Sequence, residues 1–315
     1  MRDGIKLSLV AMGVVLVAGY FLGHGLTADN YAYFLSRRTP KFLAITLAAV
    51  AISASSLVFQ TITNNRILTP SILGFDSLYV LLQTVLLVVF GSSSVLLINA
   101  YANFTASVVL MTVSATVLFT LYFRRHRANI YTLLLIGIVL GSVFGSISQF
   151  FTLLVDPSEF AILQDAMFAS FNNANRELVY VSVPVLAACL LVLYRFSNQL
   201  DVCLLGEDNA TSLGIDTRRL TLKVMMVIAV MIALSTALVG PVLFFGLIVV
   251  SLARQMFVSY QHRFLIVATS VLAAFLLLSG QYVVEQWFGF ETTVSVIINF
   301  VGGGYFLYLL TKNKF

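Results

Sequence analysis

Residues 204–220 read LLGEDNATSLGIDTRRL, and residues 238–255 read LVGPVLFFGLIVVSLARQ. The first stretch is a polar island in a chain that is otherwise compatible with lipid. Glu207, Asp208, Asp216, Arg218 and Arg219 stand among Asn209, Thr211 and Ser212, with Gly206 and Gly214 as boundaries. Such groups cannot lie in hydrocarbon, so the segment meets water or a soluble partner. Its local chemistry predicts a short helix. Glu207 and Asp208 follow Gly206 and put negative charge at the positive end of a helix dipole. Ala210, Thr211 and Leu213 continue the turn, and Gly214 stops it. Asp216 is placed to cap a second helix that begins Thr217-Arg218-Arg219 and enters the membrane. Chemistry alone leaves two readings open, a well-capped connecting loop or a surface presented to a partner.

The 315 residues are 60% hydrophobic and 10% charged, where soluble domains carry roughly a quarter charged residues. A membrane span needs about 20 apolar residues. The apolar runs are Ile5–Leu22, Phe42–Thr63, Leu78–Phe90, Ala106–Phe123, Tyr131–Val155, Leu178–Phe196, Leu220–Val239, Val242–Phe257, Phe264–Val284 and Thr292–Leu310. The expected fold is therefore all-α: a polytopic membrane protein of about ten transmembrane helices. Residues 1–315 read as a single domain, with the polar helices at about 204–218 and no room for a soluble domain. Arg2 and Lys6 flank the first run, which reads as an uncleaved span. Cys189 and Cys203 give no disulfide framework.

Charge sets the expected orientation. With ten spans and the N-terminus inside, fourteen of the 18 Lys and Arg fall on the inner side. They include Arg124, Arg125 and Arg127 beside His126, and Lys312 and Lys314 at the end. Only Arg37, Arg38, Lys41 and Arg176 fall outside. The positive-inside rule then puts both termini in the cytoplasm. This bias accounts for the net charge of +5 without nucleic acid as a partner.

Several chemistries find no residues. No G-x-x-x-x-G-K-[ST] loop exists, and no Lys follows a Gly, so the chain has no phosphate loop for ATP. His24, His126 and His262 are far apart in sequence and form no metal set with Cys or carboxylates. No catalytic Ser/His/Asp arrangement appears, so an enzyme is not expected. An ion-coupled secondary transporter is the rival class; such proteins carry buried carboxylates or broken helices at midplane. The spans here are nearly free of mid-membrane acids.

LGEDNATSLGIDTRRL followed by GPVLFFGLIVVSLAR resembles the signature of the permease subunits of ABC importers for iron-siderophores and cobalamin, the type II importers. In that family this Gly-bounded segment is the coupling element that docks on the cytoplasmic ATPase. The resemblance places this role on Gly206, Glu207, Ala210, Leu213 and Gly214. It also covers Arg38-Thr39-Pro40-Lys41, similar to the family's R-x-P-[RK]. That likeness implies Arg38 and Lys41 as contacts for carboxylates of an extracytoplasmic substrate-binding protein. Headgroup snorkelling is the other reading of these cations.

The second span is rich in Ala and Ser, which permits close helix packing. It runs through Gln60 into Asn64-Asn65-Arg66-Ile67-Leu68-Thr69-Pro70-Ser71-Ile72-Leu73-Gly74, a helix break. The family's Q-x-x-x-x-N-P-L-A-x-P-x-x-L-G lies here, and the resemblance makes Asn65 and Ile67 the cytoplasmic gate. Arg66 replaces the family's Pro. Asp76 near the start of the third span reads as interfacial or as a buried functional acid. The fifth span carries Gly137, Gly141 and Gly145 as a small-residue stripe, with Ser142, Ser146 and Gln149 on a neighbouring face. By chemistry this is helix packing; by resemblance it lines the translocation path between two permeases, together with Gln60, Phe168 and Asn299. Phe168-Ala169-Ser170-Phe171 stands where the family has Trp-x-x-Gly-Ser. The outer loop continues through Asn172 and Asn173, and the last span opens after Glu291 with Gly302-Gly303-Gly304 in place of G-A-P.

The resemblance implies a permease for ferric-siderophore complexes, closest to the catecholate type, in a bacterial cell membrane. Cobalamin or haem is the alternative cargo. The chain itself binds no cofactor or metal; ATP and Mg belong to a cytoplasmic ATPase dimer. The remaining expected partners are the binding protein, membrane lipid and a second permease. A paralogous heterodimer is favoured because residues 60–79 resemble a subgroup with two distinct permeases.

Overall fold

The computed structural model describes residues 2–27, 29–92, 94–125, 130–172, 174–289 and 292–312. His126, Arg127, Asn173, Glu291 and Lys314 lie outside them. The helices are α1 (Arg2–Gly23), α2 (Tyr31–Ile62), α3 (Phe75–Phe90), α4 (Val95–Ile98), α5 (Ala100–Arg125), α6 (Ile130–Thr152), α7 (Phe160–Met167), α8 (Arg176–Cys203), α9 (Glu207–Ser212), α10 (Thr217–Val239), α11 (Phe245–Met256), α12 (His262–Trp287) and α13 (Val294–Lys312). A 3-10 turn, Pro70–Leu73, precedes α3. The chain is all-helical among the described residues, as expected.

Each of the ten apolar runs falls on one helix, but the helices are unequal, and α2 begins at Tyr31, eleven residues before its run, with Pro40 inside it. Seven (α1, α2, α5, α6, α8, α10 and α12) are long and apolar enough to cross a membrane. The 16 residues of α3 and 12 of α11 rise only about 24 and 18 Å at 1.5 Å per residue, short of a hydrocarbon core of about 30 Å. The run expected from Val242 starts as helix only at Phe245. Gly240 has φ +92° and packs its Cα face on residues 168–169, where a Cβ would lie 2.9 Å from the Ala169 Cα. Pro241 follows and lacks an N–H, so the chain leaves α10 extended and re-enters helix four residues later.

The centre of the bundle is α2, in contact with α1, α8, α10, α11 and α12. Its Ala44, Ala48, Ala49, Ala54, Ser53, Ser55 and Ser56 are buried to 0% exposure. Small side chains bring neighbouring backbones close, which is how packing holds helices together where lipid removes the hydrophobic drive. Around the periphery, α1 rests on α12 and exposes Ile5, Leu9, Met12 and Leu16, a lipid-facing pattern.

The glycine stripe of α6 is a packing face, as its chemistry suggests, and it is filled from within this chain. Gly137 and Gly141 are covered by this chain: a Cβ at Gly137 would lie 2.8 Å from the Leu73 Cα, and one at Gly141 3.1 Å from the Gly74 Cα. The stripe seats the turn before α3, so only Gly145, with nothing within 4 Å, is left for another partner.

One end of the bundle gathers the polar turns. The Asp3 carboxylate accepts from the amides of Val258 and Ser259, and Lys6 donates to the Met256 carbonyl. His262, three residues on, bonds Asp201 near the end of α8. The start of α1 therefore lies on the same side as α9.

Candidate coupling and gating site

The polar island forms two capped elements. In α9, Gly214 takes φ +86°, and its amide donates to the Thr211 carbonyl while Ile215 donates to Ala210. This pair of bonds is a Schellman closure. Next, the Asp216 carboxylate accepts from the Arg219 amide at 3.0 Å and caps α10. Ala210 is fully buried and docks α9 on α8 and α10. Glu207 and Gly214 are exposed, and Leu213 is 64% exposed. An apolar side chain held out on a charged, rigid turn has the form of a docking knob. The helix and both caps match the sequence reading.

The other polar break closes α2. Asn64 adopts φ +48°, with its amide on the Thr61 carbonyl and the Asn65 amide on Gln60. This repeats the same closure with asparagine in the left-handed position. The Asn65 side chain then accepts from the Ile67 amide at 3.0 Å, so the two expected gate residues are locked together. Arg66 between them is exposed. A groove of about 240 Å³ separates this end of α2 from the coupling element, lined by Thr61, Asn64, Gly206, Glu207 and Arg218.

One group here was missed. His262, wholly buried, meets Asp201 through Nδ1 at 2.6 Å and Thr61 Oγ1 through Nε2 at 2.8 Å. In the sequence it was judged only as a metal ligand, and no spacing rule connects residues 61, 201 and 262.

The expected path residues divide. Ser142, Ser146 and Gln149 are exposed along α6, a polar stripe that this chain does not cover. Gln60, by contrast, is 2% exposed within the bundle and is not on that face. Asn299 is half-buried in α13. Phe168 lines a separate cavity of about 740 Å³, with Gln83, Asn103, Gln164, Ser170 and Thr293. The backbone at Phe168 is extended, so side chains alternate. Phe168 and Ser170 face the cavity while Ala169 and Phe171 are buried.

The outer cations also divide. Lys41 donates to Asn172 Oδ1 at 2.6 Å and forms an ion pair with Glu285 of α12. Its side chain is 14% exposed. It holds α2 to α12 and to the loop before α8, rather than standing free for a partner as expected. Arg38 donates to the Leu22 and His24 carbonyls at the end of α1 and lies over the Phe34 ring. Arg37, which carried no expected role, is exposed and stacks on Tyr33.

The FecCD transport family matches residues 5–312. The chain belongs to that family. It is a multi-pass membrane permease, as the sequence reading expected. It is 46% identical over 314 residues to the petrobactin import system permease protein YclO of Bacillus subtilis, covering 100% of this chain and 99% of that one. It is 31% identical to the petrobactin import system permease protein FatC of Bacillus anthracis, covering 98% and 88%. A solved metal-chelate type ABC transporter in an inward-facing conformation matches with a TM-score of 0.83 at 23% identity, covering 98% of each chain. FecCD membership and this likeness agree on the fold.

Proposed function

We propose that this chain is the permease of a ferric-siderophore import system, with a petrobactin-like chelate as its cargo. The observation that carries the reading is α9, a rigid, capped, six-residue helix that holds Glu207 and Leu213 out from the membrane end of the bundle. A surface of that kind transmits force from a soluble partner, here an ATPase dimer that keeps ATP and Mg to itself. Asn65 and Ile67 act as the gate across the groove. The names of the relatives support the cargo. Residues 1–315 act as one permease domain in a bacterial cell membrane, with both termini cytoplasmic. The excess of inner Lys and Arg supports that orientation, as does the position of the start of α1 on the side of α9. The exposed Ser142, Ser146 and Gln149 favour a second permease across α6, since polar groups facing lipid are costly; we favour a paralogue. On the outer face, Arg38 is the contact that remains proposed for the binding protein, since Lys41 is paired within the chain.

The test is uptake of iron-55 carried by a panel of siderophores, with hemin as a separate arm, in cells with and without this gene. Glu207→Arg places a cation at the positive end of the α9 dipole and should abolish uptake while membrane insertion stays normal. Uptake of every chelate unchanged by loss of the gene would overturn the proposal. A Glu207→Arg variant that binds its ATPase and transports normally would remove α9 from the coupling role.

A further inference from the structure

We propose that His262 is a positioning residue that carries movement of the coupling element to the gate end of α2. This rests on the coupling and gating roles proposed above.

His262 opens α12 and makes three bonds. Its backbone amide and its Nδ1 both meet Asp201 Oδ1, at 2.7 and 2.6 Å, and its Nε2 meets Thr61 Oγ1 at 2.8 Å. Asp201 sits in the last turn of α8, five residues before Gly206. Thr61 sits in the last turn of α2, four residues before Asn65. One imidazole thus joins the two helix ends that lead directly into the two sites. A groove lies between the two sites, while α2 and α8 also pack directly on each other. The bonded route runs round that groove, through α8, His262 and α2.

Histidine suits the task because its ring is rigid and its two nitrogens are distinct. A carboxylate on Nδ1 sets the tautomer and the ring orientation. In the neutral tautomer Nδ1–H donates to Asp201, and Nε2 accepts from the Thr61 hydroxyl. That hydroxyl has a second acceptor within reach, the Leu57 carbonyl at 3.1 Å. It has one proton, so it bonds His262 or turns back onto its own helix. The hydroxyl keeps an acceptor in either position, but release leaves the buried Nε2 without a donor, so the bond to His262 is the favoured state. Removing it should not unfold the bundle, because α2 packs directly on both α8 and α12.

The experiment uses the assembled transporter in nanodiscs, with Cys189→Ser and Cys203→Ser as background. Nitroxide labels are attached at Thr211→Cys on α9 and, separately, at Arg66→Cys in the gate segment. Electron paramagnetic resonance spectra are recorded with and without MgATP. With His262 intact, both labels should respond. In Thr61→Val, which keeps the volume and deletes the hydroxyl, the Thr211 label should respond as before. The gate response should fall about fivefold, the lower end of typical coupling between sites. His262→Gln should act in the same direction. A full gate response in both variants would overturn the proposal. An unresponsive Thr211 label in the chain with His262 intact would overturn the coupling reading, and the His262 link with it.

Discussion

The coupling element and the outer cation cluster are both charged, one in the turns between α8 and α10 and the other within α2, and are built in opposite ways. Around α9, the capping bonds join residues at most five apart: Ile215 to Ala210, Gly214 to Thr211, Arg219 to Asp216. At the outer end, Lys41 bonds Asn172, 131 residues away, and pairs with Glu285 on α12. The first arrangement frees its side chains for a partner. In the second, the Lys41 charge is taken up in holding the bundle together. Identical residue types therefore say little about availability; the range of the bonds decides it.

Four substitutions sharpen this contrast. Lys41→Met leaves the Glu285 carboxylate, 17% exposed, without its cation but still bonded to Gln281, so the loss should stay below the cost of breaking a fully buried pair, about 3–5 kcal/mol. The expected result is a marked fall in thermal midpoint in detergent, with most of it regained in Lys41→Met/Glu285→Met. An unchanged midpoint in the single variant would mean that the lysine is free after all. Gly214→Val puts a branched residue at φ +86°, with open space around its Cβ. The backbone strain is about 1–2 kcal/mol, and it should stay local. Cys203, at the end of α8, should react faster with a thiol reagent while the global midpoint holds; a global loss would contradict the autonomy of this turn.

Asp216→Ala removes only the cap of α10, worth about 1 kcal/mol. Hydrogen exchange in the first turn of α10 should speed up roughly fivefold, since 1.4 kcal/mol corresponds to tenfold, and the outer end should be unaffected. Arg219→Ala deletes an ion pair with Asp216 whose side chains are 81% and 53% exposed. Exposed pairs are weak and screened by salt, so neither midpoint nor exchange should change measurably. A shift comparable to that of Lys41→Met would erase the difference between the two ends.

Much of the site was legible because its signals are local. Gly214 and Asp216 end and restart helices by bonds to near neighbours. Asn64 and Asn65 end α2 in the same way. The Gly240-Pro241 pair was also in view, yet hydropathy extended the run to Val242, because apolar residues in an extended segment look like helix to a composition count. The glycine stripe of α6 was recognised as a packing face, but which chain fills it was not. Gly137 and Gly141 receive Leu73 and Gly74, and a stripe of small residues carries no record of its occupant.

By itself, the sequence determined that the chain crosses a membrane, where α2 ends, which turn is capped and exposed, and, through the motif, the family. These follow from hydropathy and from hydrogen bonds that close within one helical turn. Only the tertiary structure decided that Lys41 faces Glu285, that Gln60 is buried away from the α6 stripe, and that His262 joins α2 to α8. A side chain on a helix can point to any neighbour until the packing of small residues along α2 sets which helices touch and at what height.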